Sequence, residues 1–185
     1  MNPLHLTAAL CLFAWITAAA DKPAEPQEFK HRVTGLFAPD READLRAALE
    51  KIPDVKLVRL DFNHAEAVFS YDPVVAFKGT KPEKIVERFN EILRNASRHT
   101  IGIAPLDPTP KDKLTRIEIP VFVLDCKACS LAAYETIFKI DGVAAATAEF
   151  KQSRVTALID TNRTDRAAIE AALKKRDITV KKPAP

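Results

Sequence analysis

Hydrophobic residues recur along the chain at two spacings, one typical of strands and the other of helices. In residues 116–123 every second position is a branched apolar residue, which is the period of a strand with one buried face. In residues 130–140 the apolar positions are spaced as on one face of a helix, with Ala133, Ile137 and Ile140 in line. The pattern predicts a strand followed by a helix.

The remainder of the second half continues the alternation of strands and helices. Residues 144–150 and 154–160 are two short runs rich in apolar residues and are separated by three polar residues, which predicts a hairpin. Thr164 is predicted to cap a second helix, and residues 178–180 to form a last short strand. The predicted order is therefore strand, helix, strand, strand, helix, strand.

The first half of the chain repeats this pattern with an offset of 88 residues, as from Ala38 to Cys126. The offset holds without a gap as far as Asp72, which falls on Asp160, and then decreases because the first copy is longer there. Residues 80–83, Thr-Lys-Pro-Glu, are predicted to be a capping box that opens the second helix of this copy. Such a repeat predicts two copies of one small domain.

Two strand–helix–strand units sharing one sheet form a ferredoxin-like sandwich. We therefore predict an α+β chain made of two tandem ferredoxin-like βαββαβ sandwiches. The predicted domains cover residues 27–105 and 114–182, and residues 106–113, rich in proline and charge, form a short semi-rigid linker.

The N-terminal segment is predicted to be a signal peptide covering residues 1–20. Its apolar run, residues 6–17, is too short to span a bilayer and is followed by three alanines. The positive charges that usually precede such a run are missing, so an uncleaved single-pass anchor is the alternative. After cleavage, about 165 residues without a membrane span would remain, in the periplasm or secreted.

Composition and motifs argue against several classes of function. Lys and Arg number 28 against 25 Asp and Glu, too small an excess for a nucleic-acid-binding surface. No Ser-His-Asp set, glycine-rich phosphate loop or close pair of carboxylates stands at a convincing junction, so we do not expect an enzyme. His31, His64 and His99 all fall in the first copy, where isolated histidines are favoured over a three-histidine site.

Cys126 and Cys129 are the two cysteines of the predicted mature chain, and they stand where a strand ends and a helix begins. Free amide N–H groups and the helix dipole favour thiolate there. Thiolates prefer soft ions such as Cu(I), Zn(II), Cd(II) or Hg(II). Zinc requires four ligands, and Asp125 is the one carboxylate close by. Two thiolates alone suit Cu(I), Ag(I) or Hg(II), and we favour Cu(I); a disulfide without metal and a thiol-redox centre are the alternatives.

The second copy resembles the heavy-metal-associated domain, the module of copper chaperones, of metal-pumping ATPases and of the periplasmic mercury-binding protein. The resemblance is carried by the Cys-x-x-Cys sequence at the first strand-to-helix junction, its distance to residues 141–143, and the hairpin of residues 143–160. It implies that Cys126 and Cys129 bind a soft metal ion. It also implies a partner such as a metal-transporting ATPase or another thiol-bearing acceptor protein.

The chain departs from the pattern of that family in two respects. The family usually has a methionine two residues before the first cysteine, where this chain has Leu124, which we expect to fill the same apolar space. In the first copy, Ala38 and Arg41 replace the cysteines. The first copy is therefore not expected to bind a metal at this site.

A basic stretch is predicted to lie beside the cysteines. Lys174, Lys175 and Arg176 precede the last strand, and in this fold their loop should neighbour the cysteine loop and offset its negative charge. The alternative is that they only complement the helix dipole. The expected function is an exported protein that binds or transfers a soft metal ion, and the alternative is a protein-interaction module whose cysteines form a disulfide or thiol-redox centre.

Overall fold

The computed structural model describes residues 26–122 and 124–181, which form two antiparallel sheets packed against helices. The strands and helices are β1 (Gln27–Thr34), α1 (Arg41–Leu49), β2 (Val55–Asp61), β3 (Glu66–Tyr71), α2 (Pro73–Ala76), α3 (Ile85–Ala96), β4 (Gly102–Ala104), β5 (Leu114–Pro120), α4 (Lys127–Phe138), β6 (Val143–Glu149), β7 (Arg154–Asp160) and α5 (Arg166–Lys174). The predicted signal peptide, residues 1–20, lies outside the described residues, as do Val123 and Lys182.

The first sheet has the strand order β2-β3-β1-β4, with every neighbouring pair antiparallel. With α1 and α3 in the two connections, this order is that of a ferredoxin-like sandwich, and the predicted fold class is confirmed. One face of the sheet packs on these helices through fully buried side chains, among them Leu45, Phe69, Phe89 and Leu93.

The second sheet has the order β5-β7-β6 and repeats the first with its last strand reduced. The strand predicted at residues 178–180 is only a single bridge between Val121 and Val180 within the described chain. Two backbone hydrogen bonds flank it, from the Phe122 N–H to Thr179 (2.9 Å) and from the Lys181 N–H to Pro120 (2.8 Å). Before this bridge, residues 175–177 turn at the end of α5, where Asp177 has a φ of 59°.

Two of the predicted helix caps are wrong. Asp165, not Thr164, caps α5, since its carboxylate accepts the Ala168 N–H at 2.8 Å while the Thr164 side chain is buried. The predicted capping box at residues 80–83 does not form either. A 3-10 turn, Pro82–Lys84, lies before α3, and α3 begins without a side-chain cap.

Equivalent turns end the third strand of each domain. Asp72 accepts the Val74 N–H at 2.8 Å, and Asp160, its counterpart in the repeat, accepts the Asn162 N–H at 3.0 Å. Aspartate commonly stabilises such a turn by bonding to the backbone two residues on. The short helix α2 follows the first of these turns and occupies the part of the first copy that has no counterpart in the second.

The two domains are joined by a loop that belongs to the first and packs into the second. We call residues 35–40, between β1 and α1, the first loop. Phe37 and Ala38 of this loop are 3% and 7% exposed and belong to the hydrophobic core of the second domain. The two sandwiches therefore share buried apolar surface rather than being connected by the linker alone.

Candidate metal centre

The two cysteines lie at the start of α4, directly after the strand that leads out of the second sheet. Cys126 is the N-cap of α4, with extended backbone and its Sγ accepting the Cys129 N–H at 3.3 Å. The helix was predicted to begin near residue 130 but begins at Lys127, because the Cys126 side chain satisfies one of its free amides. Both thiols thus stand at the positive end of a helix dipole.

The two thiols are close together and accessible. Their Sγ atoms are 2.9 Å apart, both cysteines are free, and Cys126 is exposed whereas Cys129 is half-buried. A side chain of the loop, Leu124, is 3% exposed and packs in the core of the second domain. It fills the apolar space below the loop, as expected from the sequence.

The pKa values of the two thiols move in opposite directions. The pKa of Cys126 is lowered by the hydrogen bond with the Cys129 thiol and by the backbone amides of Cys129 and Ala128, while the charge of Asp125 opposes this. The pKa of Cys129 is raised by its hydrogen bond with the Cys126 sulfur, by partial burial and by the negative charge of the Cys126 thiolate. Cys126 is therefore the sulfur that ionises first.

The basic residues predicted near the cysteines lie at the same end of the second domain. Lys174 ends α5, and Lys175 and Arg176 follow it; all three are exposed. Thr179 pairs with Phe122, so the stretch before Thr179 and the cysteine loop leave the sheet at the same edge. Within the described chain, no hydrogen bond or ion pair joins these three residues to the loop.

The structure places a different basic residue beside the cysteines. The Nζ atom of Lys127, which stands between the two cysteines in sequence, lies 2.6 Å from a carboxylate oxygen of Asp40 in the first loop. The sequence pattern did not predict this pair. A signal was present, since both residues fall within the segments that the repeat aligns, but the repeat says nothing about whether aligned loops touch.

The histidines are not brought together. His31 is buried and bonds to the Tyr71 hydroxyl at 2.9 Å, while His64 contacts Asp61 at 2.9 Å and His99 lies in an exposed turn. Among residues 26–122 and 124–181 there is no group of three or more His, Cys, Asp or Glu side chains that could hold a metal ion. In this part of the chain the cysteine pair is thus the candidate with suitable soft donors.

Solved structures similar to this chain include domains of metal-handling proteins. Oxidized MerP from Ralstonia metallidurans is 17% identical over 38% of this chain and 99% of its own, with a TM-score of 0.36. A copper binding domain from HMA7, a P-type ATPase, is 22% identical over 37% and 93%, with a TM-score of 0.36. The N-terminal soluble domains of Bacillus subtilis CopA are 19% identical over 85% and 93%, with a TM-score of 0.35.

No protein-family model and no curated protein matches the chain. The strand order of the two sheets identifies the fold by itself. In the described part of the chain, none of the helices has the length and apolar character needed to cross a membrane.

Proposed function

We propose that this protein binds a soft metal ion through Cys126 and Cys129, with Cu(I) as the favoured ion, and hands it to a thiol-bearing acceptor. The observation that carries the proposal is the geometry of the pair. Two free thiols lie 2.9 Å apart at the N-terminus of a helix, at a place where solvent and a partner can reach them. Such thiols ionise readily, and thiolates are ligands for soft ions.

The number of donors favours an ion of low coordination number. A structural zinc site requires four ligands, and the described residues around the pair offer no third cysteine or histidine. Asp125 is exposed next to Cys126, but a carboxylate is a poor ligand for a soft ion. Two thiolates suit Cu(I), Ag(I) or Hg(II). The sequence resemblance to the heavy-metal-associated domain supports the same class of ion.

An open two-sulfur site is suited to transfer as well as to storage. An acceptor thiolate can join the ion before either cysteine has left, after which Cys129 and Cys126 are displaced in turn. The exposure of Cys126 gives that acceptor an approach. A metal-transporting ATPase or another protein with paired cysteines fits this chemistry, and we propose that the exchange takes place outside the cytoplasm, after export.

The experiment is a competition for Cu(I). The chain carrying Cys11→Ser, so that the pair is its only source of thiols, is reduced and titrated with Cu(I) against a chromophoric chelator. We expect one Cu(I) per chain to be withheld from the chelator, and the further variant Cys126→Ser/Cys129→Ser to release it. If a weak chelator removes Cu(I) equally from both proteins, the proposal is wrong.

A second candidate function is thiol–disulfide exchange. The observation that favours it is the opposite shift of the two thiol pKa values, which leaves one ionised sulfur beside a protonated one. In that case the reduced pair should reduce a disulfide substrate and reach equilibrium with glutathione at an oxidising potential. This candidate is rejected if the chain withholds Cu(I) from the chelator but leaves the disulfide substrate intact.

A further inference from the structure

The first loop lies against the second domain on the side where the cysteine loop begins. The Gly35 N–H donates to the Tyr134 hydroxyl of α4 at 2.8 Å, and the Phe37 carbonyl accepts the Ala148 N–H of β6 at 2.8 Å. The second bond satisfies an amide on the outer edge of β6, an edge strand of its sheet. The Phe37 ring completes the contact by packing against the Tyr134 ring, with 6.2 Å between centroids.

The residues that replace the cysteines in the first copy are part of this contact. Ala38, the counterpart of Cys126, is 7% exposed because it is buried against the second domain. Arg41, the counterpart of Cys129, shapes the loop from inside its own domain. Its guanidinium donates to the Gly35 carbonyl at 3.3 Å and to the Thr100 hydroxyl at 2.7 Å. Ala38 and Arg41, which stand where the second copy has its cysteines, thus hold the first loop against the second domain.

The contact reaches the metal-binding loop itself. Asp40 pairs with Lys127, between the two cysteines, and Arg32 lies 4.1 Å above the ring of Phe138 near the other end of α4. The first domain therefore follows α4 along its length, from the turn that carries Cys126 and Cys129 to its last residue. One flank of the cysteine loop is occupied.

We propose that the cysteine-less domain is a built-in cover that competes, within the same chain, with any protein that brings its own thiols to Cys126 and Cys129. A tethered domain has an effective concentration of about a millimolar, which exceeds that of a free protein at micromolar concentration. The free protein must therefore approach the other flank of the cysteine loop or wait until the cover opens. Small thiols need no such opening, because Cys126 is exposed to solvent. The occupant of the α4–β6 surface is thus the chain's own first loop.

The biological meaning of this cover rests on the proposed function, but its test needs no metal. In the background Cys11→Ser/Cys129→Ser, Cys126 is the single thiol and is converted to its mixed disulfide with thionitrobenzoate. A free Cys126 thiolate of a second copy attacks the Cys126 sulfur, forms the protein–protein disulfide and releases coloured thionitrobenzoate. Glutathione attacks the same sulfur and releases the same anion. The quantity measured is a ratio of two second-order rate constants: that for attack by the protein thiol, divided by that for attack by glutathione.

We expect the ratio to rise when the cover is weakened in both copies. Asp40→Asn removes an exposed ion pair, so the rise should be modest, about threefold. Adding Phe37→Ala, which also removes the buried anchor, should raise it about tenfold or more because the open fraction increases. Glu42→Gln is the matched control: it removes one negative charge two residues further along, in the first turn of α1, and breaks only the exposed Arg46–Glu42 pair.

Two outcomes would overturn the inference. One is a ratio for Asp40→Asn equal to that of Glu42→Gln, a comparison that does not depend on Phe37→Ala being folded. The other is an unchanged ratio in a Phe37→Ala/Asp40→Asn protein that keeps its circular dichroism spectrum. Because no metal is present, a failure of Cu(I) binding and a failure of the cover are observed separately.

Discussion

Asp40 precedes the first helix of the first domain, Lys127 begins the first helix of the second, and their side chains meet at 2.6 Å. The hydrogen bond from Lys127 lowers the pKa of Asp40, so this carboxylate stays charged at neutral pH. Both side chains are at least half exposed, which makes the pair weak in water. The strength of the domain contact comes instead from Phe37 and Tyr134, and the ion pair directs it toward the cysteine loop.

The backbone conformation of Gly35 leads to a prediction about stability. Its φ is 88°, and a Cβ at this position would lie 2.0 Å from the carbonyl oxygen of Thr100. We expect Gly35→Ala to cost at least about 2 kcal/mol of unfolding free energy, since it adds a clash to an unfavourable φ. Gly79→Ala is the control, with a φ of 76° and nothing within 4 Å of the added Cβ. Urea unfolding should show that Gly79→Ala loses about 1 kcal/mol of unfolding free energy. Equal losses for the two variants would contradict the explanation.

The buried histidine of the first domain leads to a prediction about pH. His31 is 6% exposed, and burial lowers its pKa below the ordinary value of 6.5. The native imidazole stays neutral while the unfolded chain gains a proton, so stability is present above pH 6.5 and is lost as the pH falls toward the folded pKa. The loss attributable to this group can reach about 1.4 kcal/mol per pH unit.

The measurement is the unfolding free energy between pH 7 and pH 5. His31→Gln offers the Tyr71 hydroxyl a partner that does not titrate, and burial raises the pKa of Tyr71 to about 12, so this neighbour stays protonated. We expect the unfolding free energy of His31→Gln to change less steeply with pH than that of the unmodified chain. The control is His99→Gln at an exposed turn. Equal slopes for the two variants would show that His31 is not the titrating group.

The two cysteines should differ in reactivity in the reduced, metal-free chain. Cys126 is exposed and its pKa is lowered, whereas Cys129 is half-buried and its pKa is raised. Since the thiolate is the nucleophile, limiting iodoacetamide near pH 7 should label Cys126 first. Peptide mass spectrometry measures the two occupancies, and Cys129→Ser serves as control for Cys126 alone. Preferential labelling of Cys129 would reverse the assignment.

Lys111 is one of the residues that hold the linker to the first domain, beside the Arg32–Asp107 ion pair at 3.7 Å, and its contacts predict how sensitive the linker is to proteolysis. The Nζ atom of Lys111 lies 2.9 Å from Asp61 and 2.7 Å from Glu66. Partial burial acts to raise the pKa of Asp61, but hydrogen bonds from Lys111 and His64 outweigh it and lower that pKa to about 2. Lys111→Met should therefore release the linker and increase its cleavage rate by a few fold.

The comparison for this prediction is Lys113→Met, which changes a second exposed lysine in the same 3-10 turn. A broad-specificity protease is used so that the loss of a lysine does not itself remove a cleavage site. The first cut is located by mass spectrometry. Similar cleavage of both variants would mean that the Lys111 contacts do not restrain the linker.

The local pattern of the sequence was sufficient for most of the fold. Alternation in residues 116–121 and helical spacing at Ala133 and Ile137 predicted β5 and α4, and the repeat carried these elements to the first half. Such patterns work because the buried face of a strand or helix is set by neighbours a few residues apart. Helix starts were predicted less well. Thr164 and Asp165 are both residue types that cap helices, and only the local geometry decides which of them accepts the hydrogen bond.

By itself, the sequence determined the two sandwiches, the position of the Cys-x-x-Cys pair at a helix start, and the loss of both cysteines from the first copy. Only the tertiary structure decided what that first copy does with its loop. Gly35 and Tyr134 are 99 residues apart, and their hydrogen bond depends on how two finished domains pack. Periodicity reports which face of an element is buried, but it does not report which other surface buries it.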